Sequence, residues 1–442
     1  MRQHDFAQTR IFWLTVFFLT VVFISVASAA PVEKVLYRFP NNGKLGAYPA
    51  SVPIFDKAGN LYATTPSGGP GSAGVVFQLM PPLKKGGAWT EKIIHSFEGE
   101  DGAAEGPFSG VIADAAGNLY GVTYAGGSQK WGFVFELSPP ARKNGKWTEH
   151  VLYNFQGGED GGHSYAGLIF DPSGNLYGTT SAGNAPNLGT VFKLSPTHGG
   201  AWKETVLYDF IGGKNGSVPT SGLAIDKKGN LYGTTLDGGA FGSGVVFQVA
   251  PPAVKGKPWK ETVLHSFCQL SNCADGQNPW GGLAIDEKGN LYGTTYFGGV
   301  NSNCGFTVQT CGTVFKLAPP AKKGQPWAET VLSSFTAGGS DGFFPWATPA
   351  FDSKGNLYGT TQLGGMGGQH CNFGCGVVFQ LTPPTTKSGN WTQTVLHRFS
   401  GEIGHDQGGP MTGVGVDSRG HLFGTNAYIQ TTGIGTVFEV VP

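Results

Sequence analysis

Residues 222–235 read GLAIDKKGNLYGTT, and this string decides the fold because it recurs along the chain. From its Asp onward it follows the pattern Asp-x-x-Gly-Asn-Leu-Tyr-Gly-Thr-Thr, which occurs seven times with small variations and spacings of 55 to 66 residues. A strand-rich period of this length is typical of a β-propeller, in which each repeat forms one blade of four antiparallel strands. The copies begin at Asp56, Asp114, Asp171, Asp226, Asp286, Asp352 and Asp417.

The fourth repeat predicts the four strands of one blade. Strand a covers residues 222–226 and turns through an Asp-x-x-Gly loop into strand b, residues 230–235. Strand c covers residues 245–249, and strand d spans residues 259–267 after a Pro-Pro loop. In the turn, the Asp side chain accepts backbone N–H groups while Gly adopts the left-handed conformation. We interpret the seven Asp residues as turn formers, and calcium binding is not expected because successive Asp ligands are missing.

The two ends of the chain are predicted to share a blade. Strand c occurs seven times, the last time at residues 436–440, and no strand d follows it. The segment EKVLYRF at residues 33–39 matches the strand-d segment ETVLYDF at residues 204–210, yet it precedes the first strand a. Pairing of residues 33–39 with the last strand c completes an all-β, seven-bladed propeller that has no open sheet edge.

Composition limits the class of protein and of partner. Gly accounts for 73 of 442 residues without the three-residue period of collagen, which favours many tight turns. Basic and acidic residues number 29 each, so a nucleic-acid partner held by a basic field is not expected. With 31 Phe, 14 Tyr and 10 Trp, the chain has ample core material and is not predicted to be disordered.

Residues 1–29 are predicted to be a signal peptide. Arg2 and Arg10 precede an apolar run over residues 11–26, and residues 27–29 (Ala-Ser-Ala) form a small-residue cleavage pattern. The run is shorter than the about 20 residues of a membrane span, and no second apolar stretch follows. We expect cleavage after residue 29, a single propeller domain over residues 30–442 and a secreted, periplasmic or cell-surface monomer. An uncleaved N-terminal anchor is the alternative.

The repeat text resembles a known family. The strings GNLYGTT at residues 289–295 and GTVFKL at residues 312–317 are similar to the GloVer tandem repeats of exported bacterial "choice-of-anchor" proteins. The resemblance covers residues 33–442 and implies export and a propeller-like array, but it implies no catalytic residues. The GNLY turn is also similar to NHL and gluconolactonase-type propellers, whose repeats are shorter.

Propeller geometry predicts that the loops, and their charges, separate onto two faces. With strand a innermost, the d-to-a and b-to-c loops share one face, and the a-to-b and c-to-d loops share the other. The d-to-a loops are acidic except for Lys44 and Lys214, and contain Glu98, Glu100, Asp101, Glu105, Glu159, Asp160, Asp275, Asp341, Glu402 and Asp406. The c-to-d loops are basic and contain Lys84, Lys85, Arg142, Lys143, Lys146, Lys255, Lys257, Lys322, Lys323 and Lys387. An acidic face favours cations or hydroxyl-rich ligands, although turn-forming Asp and solubilising Lys explain the same pattern.

Aromatic residues indicate a ligand platform on the acidic face. Six Trp open strand d and are predicted to pack within the repeat: Trp89, Trp147, Trp202, Trp259, Trp327 and Trp391. The position six residues before each turn Asp lies where the chain enters strand a beside the channel mouth, and it is aromatic in Phe108, Tyr165, Trp280 and Trp346. Exposed aromatic faces stack on sugar rings and apolar ligands, so this arc is the predicted platform. Packing between blades is the alternative.

The histidines give few candidates. His95, His265 and His397 occupy a strand-d position that is Tyr in other repeats, so they are predicted to be half-buried. The unrepeated His163, with Asp160 close to it in sequence, is added to the candidate ligand-binding residues. The chain has no metal-binding spacing, phosphate loop or hydrolase elbow, so neither a metal nor a cofactor is predicted.

Six cysteines lie in loops of the acidic face around blades five and six. An even count in an exported chain predicts disulfides. Local pairing within each loop is expected, although six cysteines allow 15 connectivities and the loops are neighbours. The predicted pairs are Cys268 with Cys273, Cys304 with Cys311, and Cys371 with Cys375. Such pairs either hold a recognition surface rigid or only protect exposed loops.

Two classes of function fit the sequence. The first is an exported, non-catalytic recognition or scaffold module that binds carbohydrate or protein at the acidic, aromatic face. The second is a carbohydrate-active hydrolase in which carboxylates from different blades, such as Asp275 and Asp341, act as acid and base. Repetition favours the first class, because nearly every acid has a repeat equivalent and none is singular in the manner of a catalytic residue.

Overall fold

Seven four-stranded antiparallel sheets form the blades, which confirms the predicted seven-bladed propeller. The computed structural model describes residues 30–442 except 41, 85, 99–105, 143–144, 184–186, 302–303, 305–309, 323, 337–338, 366–370, 372, 387–388, 403–407 and 428–433. The predicted signal peptide, residues 1–29, lies outside the described residues. The propeller forms a compact unit over Pro31–Pro442.

The first half of the ring is built from short inner strands and longer outer strands. β1 (Val32–Arg38) and β2 (Gly46–Ala47) come first, and β2 pairs with β5 (Ser67–Gly68) in a separate small sheet. Blade one contains β3 (Ile54–Phe55), β4 (Leu61–Thr65), β6 (Val75–Met80) and β7 (Thr90–Ser96). Blade two contains β8 (Ile112–Ala113), β9 (Leu119–Val122), β10 (Phe133–Ser138) and β11 (Thr148–Asn154). Blade three contains β12 (Ile169–Phe170), β13 (Leu176–Thr180), β14 (Thr190–Pro196) and β15 (Trp202–Asp209).

The second half repeats the same pattern. Blade four contains β16 (Ala224–Ile225), β17 (Leu231–Thr235), β18 (Val245–Ala250) and β19 (Lys260–Ser266). Blade five contains β20 (Ala284–Ile285), β21 (Leu291–Thr295), β22 (Thr313–Ala318) and β23 (Ala328–Ser334). Blade six contains β24 (Ala350–Phe351), β25 (Leu357–Thr361), β26 (Val377–Thr382) and β27 (Thr392–Arg398). Blade seven contains β28 (Gly415–Val416), β29 (Leu422–Asn426) and β30 (Thr436–Val441).

Blade seven is completed by the N-terminal strand, as the sequence predicts. β1 pairs antiparallel with β30, so that Val32 lies opposite Val441 and Arg38 opposite Thr436. The pairing carries a β-bulge next to Val35, and each of the other six outer strands has a bulge in the same part of its pairing. Because a bulge increases strand twist, this feature gives all seven blades the same outer curvature.

The Asp-x-x-Gly turn uses both oxygens of its carboxylate. In blade four, Asp226 Oδ1 accepts the backbone N–H groups of Lys228 and Asn230 at 2.8 and 2.9 Å. Its Oδ2 accepts the Asn230 side-chain amide at 2.8 Å and the Tyr232 O–H at 3.1 Å. These four bonds tie the turn to strand b and lower the pKa of Asp226 despite its partial burial. The turn-forming role is therefore confirmed.

The core lies mainly between blades. The Phe that follows each outer strand packs edge-on against the Phe of strand c in the next blade, with ring centroids 5.1 to 5.3 Å apart. The seven pairs are Phe39–Phe77, Phe97–Phe135, Phe155–Phe192, Phe210–Phe247, Phe267–Phe315, Phe335–Phe379 and Phe399–Phe438. In blade four, a Cβ on Gly233 would lie 2.6 Å from Phe247 Cζ, so the Gly of Gly-Thr-Thr leaves room for the ring.

The tryptophans that precede or open the outer strands are packing residues, as predicted, but their contacts lie between blades rather than within one repeat. Five of them contact the Tyr of Asn-Leu-Tyr in the preceding blade, with ring centroids 6.1 to 6.4 Å apart. These pairs are Tyr62–Trp147, Tyr120–Trp202, Tyr177–Trp259, Tyr232–Trp327 and Tyr292–Trp391. Trp89 packs in the buried cluster that contains Phe423 of blade seven.

Helical structure in the described part of the chain consists of two short 3-10 turns, Gly213–Asn215 and Ser271–Cys273. Within the same residues, no helix has the length and apolar character needed to cross a membrane.

Candidate functional site

The d-to-a and b-to-c loops of a blade share one face of the propeller. Isolated bridges join them, for example between Gln277 and Phe297 in blade five and between Phe343 and Leu363 in blade six. The rim residues, defined as those six positions before each turn Asp, lie between these loops and strand a. We refer to this side as the rim face.

A threonine of the preceding blade fixes most rim positions. The first Thr of the Gly-Thr-Thr string donates its O–H to the carbonyl directly after the rim residue of the next blade. Thr234 thus binds Gly281 O at 2.9 Å, and Thr294 binds Ala347 O at 3.0 Å. The same bond crosses the closure, where Thr425 binds Ser51 O at 3.0 Å. Most rim residues therefore lie in segments that a hydrogen bond ties to strand b of the preceding blade, and such segments hold a site more firmly than a free loop.

Blade two lacks this bond because Val122 replaces the threonine. The carbonyl in question belongs to Ala166, directly after the rim residue Tyr165. The Oγ of the completely buried Ser164 lies 3.2 Å from this carbonyl and 2.8 Å from Thr179 O in strand b of blade three. The loop that carries Tyr165 is thus held from within its own blade.

The four predicted rim aromatics form two pairs. Phe108 and Tyr165 lie with ring centroids 5.6 Å apart, whereas Trp280 and Trp346 are stacked at 4.5 Å with planes 22° apart. All four side chains are half-buried. The rim residue of blade four, Thr220, separates the pairs and is buried, with its O–H 3.5 Å from Trp280 O.

The first pair belongs to a larger group, which we call the Tyr124 group. Its members are Phe108, Tyr124, Trp131, His163 and Tyr165. The Tyr124 ring stacks on His163 with centroids 4.6 Å apart, and its centroid lies 4.5 Å from that of Tyr165. Trp131 joins the group by contact with the His163 ring, at a centroid distance of 4.5 Å. His163 Nδ1 also bonds Tyr124 O at 3.0 Å. The structure therefore brings the predicted His163 together with the predicted Phe108 and Tyr165.

The second pair belongs to the Trp280 group, which consists of Trp280, Tyr296, Phe344 and Trp346. Tyr296 packs edge-on against Trp346 at 5.3 Å and stacks on Phe344 at 4.6 Å. Its O–H donates to Gln362 Oε1 at 2.9 Å, and burial raises the pKa of Tyr296 to about 12. Tyr296 therefore stays neutral and orients the tryptophan pair.

Left-handed residues turn the chain into the rim. His163 and Phe344, two positions before Tyr165 and Trp346, have φ of 54° and 60°. Their N–H groups donate to Trp131 O at 2.9 Å and to Cys311 O at 3.0 Å, both in the b-to-c loop of the preceding blade. Bulky residues rarely take this conformation, and where they do the surrounding structure must enforce it.

The disulfides form within single loops, as predicted. Cys268 is bonded to Cys273, Cys304 to Cys311, and Cys371 to Cys375. Cys304 and Cys311 are buried in the same cluster as Phe344, with Tyr296 packed against it. This disulfide therefore supports the Trp280 group directly.

Two acidic residues of the rim face, Asp160 and Asp275, are less available than their sequence position suggests. Asp160 is 9% exposed and its Oδ2 accepts the Tyr153 O–H and the Gln156 N–H, both at 2.8 Å. Asp275 is 1% exposed and accepts the N–H groups of Gln269 and Leu270 at 2.9 and 3.0 Å. Both carboxylates thus hold their own loops. Other charged residues of the predicted faces lie outside the described residues: Glu100, Asp101, Glu105, Asp406, Lys85, Lys143, Lys323 and Lys387.

Asp341, the second candidate catalytic residue, is also engaged locally. Its Oδ1 accepts the Thr336 O–H at 2.6 Å and the Thr336 N–H at 3.2 Å. Among the described residues, no group of three His, Cys, Asp or Glu side chains is arranged to hold a metal ion.

Comparison with known sequences agrees with the repeat. The family model described as Gloeobacter/Verrucomicrobia repeat matches residues 20–224 and 225–442, which together cover nearly the whole chain. The chain belongs to this family. The match confirms the resemblance to GloVer tandem repeats that the strings at residues 289–295 and 312–317 indicate. No curated protein matches the chain.

Among solved structures, one that is similar to this repeat-family propeller is an oxidoreductase described as a glucose dehydrogenase, from Thermus thermophilus. It is 14% identical, with a TM-score of 0.41, and the comparison covers 93% of this chain and 100% of the other. At that TM-score the likeness supports no conclusion about activity.

Sequence reasoning missed four members of the Gloeobacter/Verrucomicrobia repeat site: Trp131, Phe344, Tyr124 and Tyr296. The two tyrosines share one repeat position. Both directly follow strand b, where the other repeats have Pro66, Ser181, Leu236, Gln362 and Ala427. An aromatic residue therefore occurs at this position only in blades two and five, which carry the first residue of each aromatic rim pair, Phe108 and Trp280. This coincidence could have identified Tyr124 and Tyr296 from the sequence.

The environment of Asp275 includes a second carboxylate of this repeat-family chain, Glu329. His265 Nε2 lies 3.4 Å from Asp275 Oδ2, and the hydrogen bonds to His265, Leu270 and Gln269 lower the pKa of Asp275 in spite of its burial. Burial and the Asp275 charge raise the pKa of Glu329 from 4.5 to about 7. A proton therefore remains on Glu329 at pH values where Asp275 is ionised.

The substitution Glu329→Gln should make the protein more stable at alkaline pH. The pKa of Glu329 is higher in the folded state than in the unfolded state. The contribution of the protonated Glu329 carboxyl to folding stability is therefore complete below pH 4.5 and is lost as the pH rises towards about 7. Glutamine removes this loss, which amounts to about 1 kcal/mol once solvent screening is allowed for. Urea unfolding from about pH 4 to about pH 9 measures the difference.

The chain offers its own precedent and a control for this test. Gln393 occupies the matching position of blade six and accepts the O–H of Ser333. The exposed Glu287 serves as the control, and Glu287→Gln should change stability by less than about 0.5 kcal/mol. A stability difference for Glu329→Gln that does not grow with pH would disprove the raised pKa.

Proposed function

We propose that this propeller is a non-catalytic recognition module that binds carbohydrate rings on its rim face. The observation that carries the proposal is the pair of aromatic groups on the rim face. In the Trp280 group, threonine hydrogen bonds tie the rim segments to the preceding blades, and a buried disulfide supports the rings. Three disulfides also favour an oxidising compartment as the place of action.

The chemistry of the two groups suits sugar rings. Indole and phenol faces attract the apolar faces of pyranose rings. The indole N–H donates hydrogen bonds to neighbouring hydroxyl groups, and the phenol O–H donates or accepts them. Trp280 and Trp346 remain half-buried even though they stack on each other, so part of each ring is accessible to solvent. Their fixed orientation reduces the entropy lost on binding, which favours affinity.

The two groups differ in polarity. The Tyr124 group includes the half-buried imidazole of His163, whereas the Trp280 group consists of carbon-rich rings and one phenol. A ligand that spans several sugar units can contact both groups, and linked contacts raise affinity without requiring either to be strong. We therefore expect oligosaccharides to bind more tightly than monosaccharides.

A hydrolase is not proposed, because the contacts of its best candidate favour another role. A general acid needs a raised pKa and access to the substrate. Asp275 has a lowered pKa, is 1% exposed and accepts two backbone N–H groups of its own loop. These properties fit a residue that shapes the d-to-a loop of blade five.

The double substitution Trp280→Ala and Trp346→Ala should abolish carbohydrate binding while the propeller stays folded. The two rings form one stacked pair, so removal of both eliminates the platform without leaving one indole exposed. A glycan array identifies the ligand, and calorimetry then measures affinity, which should fall by at least about 100-fold if two aromatic contacts are lost. Reducing-sugar release on the same glycans should be absent.

Trp259→Ala is the matched control, because Trp259 packs on Tyr177 between blades three and four. It should lower stability more than the double variant does but leave affinity unchanged in the folded fraction. The pair Phe108→Ala and Tyr165→Ala tests the Tyr124 group in the same assay. Wild-type protein that binds no glycan, or a double variant as unstable as Trp259→Ala, would mean that the rim aromatics are packing residues.

A further inference from the structure

One interblade tryptophan is replaced, and the register of the outer strands identifies the replacement. Trp259 directly precedes Lys260, which pairs with Ala250, the last residue of strand c. In blade seven, Val32 pairs with Val441, the last residue of β30. The residue before Val32 is Pro31, so proline occupies the position that holds tryptophan in the other six repeats.

A cavity lies where the missing indole would pack. In blades one to five, the Tyr of Asn-Leu-Tyr contacts a Trp from the following blade, and the corresponding residue of blade six is Tyr358. No aromatic ring among the described residues contacts Tyr358. A cavity of about 660 Å³ opens beside it, between blades six and seven, and its apolar lining includes Phe351, Tyr358, Val416 and Val441.

The carboxylates that line this cavity have their oxygens occupied. Asp352 accepts the N–H groups of Lys354 and Asn356, the Asn356 amide and the Tyr358 O–H at 2.8 to 3.0 Å. Asp417 accepts the Arg419 and His421 N–H groups at 2.8 and 2.9 Å, and the Arg419 guanidinium at 2.8 and 2.9 Å. Neither carboxylate needs a ligand to satisfy it.

The cations of the cavity are more accessible. Lys354 is exposed, and the Arg419 side chain retains 66% of its exposure although it pairs with Asp417. His421 Nδ1 bonds Glu439 Oε1 at 2.8 Å, which directs the ring without using Nε2. The cavity thus combines an apolar wall, formed by Phe351, Tyr358 and Val416, with N–H donors at its edge. These donors match an anionic substituent.

We propose that this cavity, on the face opposite the rim, binds a flat aromatic acid. The ring occupies the space of the missing tryptophan beside Tyr358, and the carboxylate lies at the edge formed by Lys354 and Arg419. The site is separate from the proposed carbohydrate site, because its lining comes from the Asp-x-x-Gly turns and the C-terminal end of β30. Wild-type protein should therefore bind indole-3-acetate, and Trp280→Ala with Trp346→Ala should leave that binding unchanged.

The test compares one acid, one neutral analogue and three variants by calorimetry and thermal melting. Indole-3-acetamide should bind about tenfold more weakly than indole-3-acetate, because it lacks the charge that the donors recognise. Pro31→Trp should restore the interblade indole, raise Tm and prevent binding of the acid. Pro31→Ala removes the proline without filling the cavity and should bind as wild type does. Arg419→Gln should weaken the acid but not the amide.

The outcomes separate a ligand site from an unfilled gap. Wild type that binds neither compound would overturn the proposal. Equal affinity for the acid and the amide would overturn the assignment of an anionic ligand, and so would an Arg419→Gln variant that binds the acid as wild type does. Binding of the acid to Pro31→Trp with unchanged affinity would show that it sits elsewhere on the propeller.

Discussion

Deletion of residues 31–39 is expected to unfold or aggregate the propeller. The segment contains β1, the outer strand of blade seven, which pairs with β30 from Val32 to Arg38. It also supplies Phe39, which is 6% exposed and packs on Phe77 of blade one at 5.1 Å. Without it, β30 becomes an open edge and the packing of Phe39 between blades seven and one is lost.

The expected loss is comparable to the net stability of the fold. Truncation of a buried Phe alone costs about 3–5 kcal/mol, and the deletion also removes Leu36, the ladder with β30 and the bond from the Tyr37 O–H to Glu91 Oε2 at 3.2 Å. Net stabilities are about 5–15 kcal/mol. Thermal melting and light scattering of the purified truncated protein measure the effect.

A relocated strand provides the control for this deletion. When residues 31–39 are attached after residue 442 through a c-to-d loop copied from another blade, such as residues 251–258, the strand can pair with β30 as the other outer strands pair with theirs. This version should recover most of the wild-type Tm. A truncated protein with wild-type melting and solubility would show that closure by β1 does not stabilise the ring.

The sequence predicts the closure because strand register is encoded in the side chains. The segment at residues 33–39 carries the same alternation as the other outer strands, and Phe39 has the same place as Phe210. The small β2–β5 sheet was not predicted, because it joins two-residue strands that have no periodicity of their own. Short pairings of that kind depend on tertiary contacts.

The candidate site could be predicted only in part, for the same physical reason. Trp280 and Trp346 are visible as departures from a repeat, and the structure stacks them. Their support by Tyr296 comes from a neighbouring loop, and contacts of that kind do not follow from spacing. Asp275 shows the converse. Its Asp-Gly sequence predicts a turn correctly, but the inward direction of its carboxylate follows only from the folded loop.

Where a residue differs from the repeat sequence, its blade makes different contacts at that position from the other blades. Val122 removes a threonine bond to blade three, where Ser164 instead ties the rim loop to Thr179 of its own blade. Gln393 replaces the strand-d glutamate where Ser333, rather than Tyr or His, is its neighbour. Pro31 replaces a tryptophan, and a cavity opens beside Tyr358, the residue that corresponds to the tyrosine partners of the other interblade tryptophans. Uncompensated departures are therefore the most informative positions for function.

Phe247→Ala is expected to cost about 3–5 kcal/mol, because it removes a fully buried ring from the contact between blades three and four. Phe247 is 0% exposed and lies 5.1 Å from Phe210. The Gly233 backbone lies against the same ring, so truncation leaves a space that neither neighbour can fill without moving a strand. Urea unfolding, followed by tryptophan fluorescence and by circular dichroism, measures the loss.

Phe241→Ala is the matched control, since Phe241 belongs to the same blade but is 51% exposed. Its substitution should change stability by less than about 0.5 kcal/mol. Because each blade contacts two neighbours in a closed ring, weakening one contact should destabilise the whole propeller, and both probes should report one transition at lower urea. Two separate transitions, or a loss no larger than that of Phe241→Ala, would show that the Phe pairs do not make the blades cooperative.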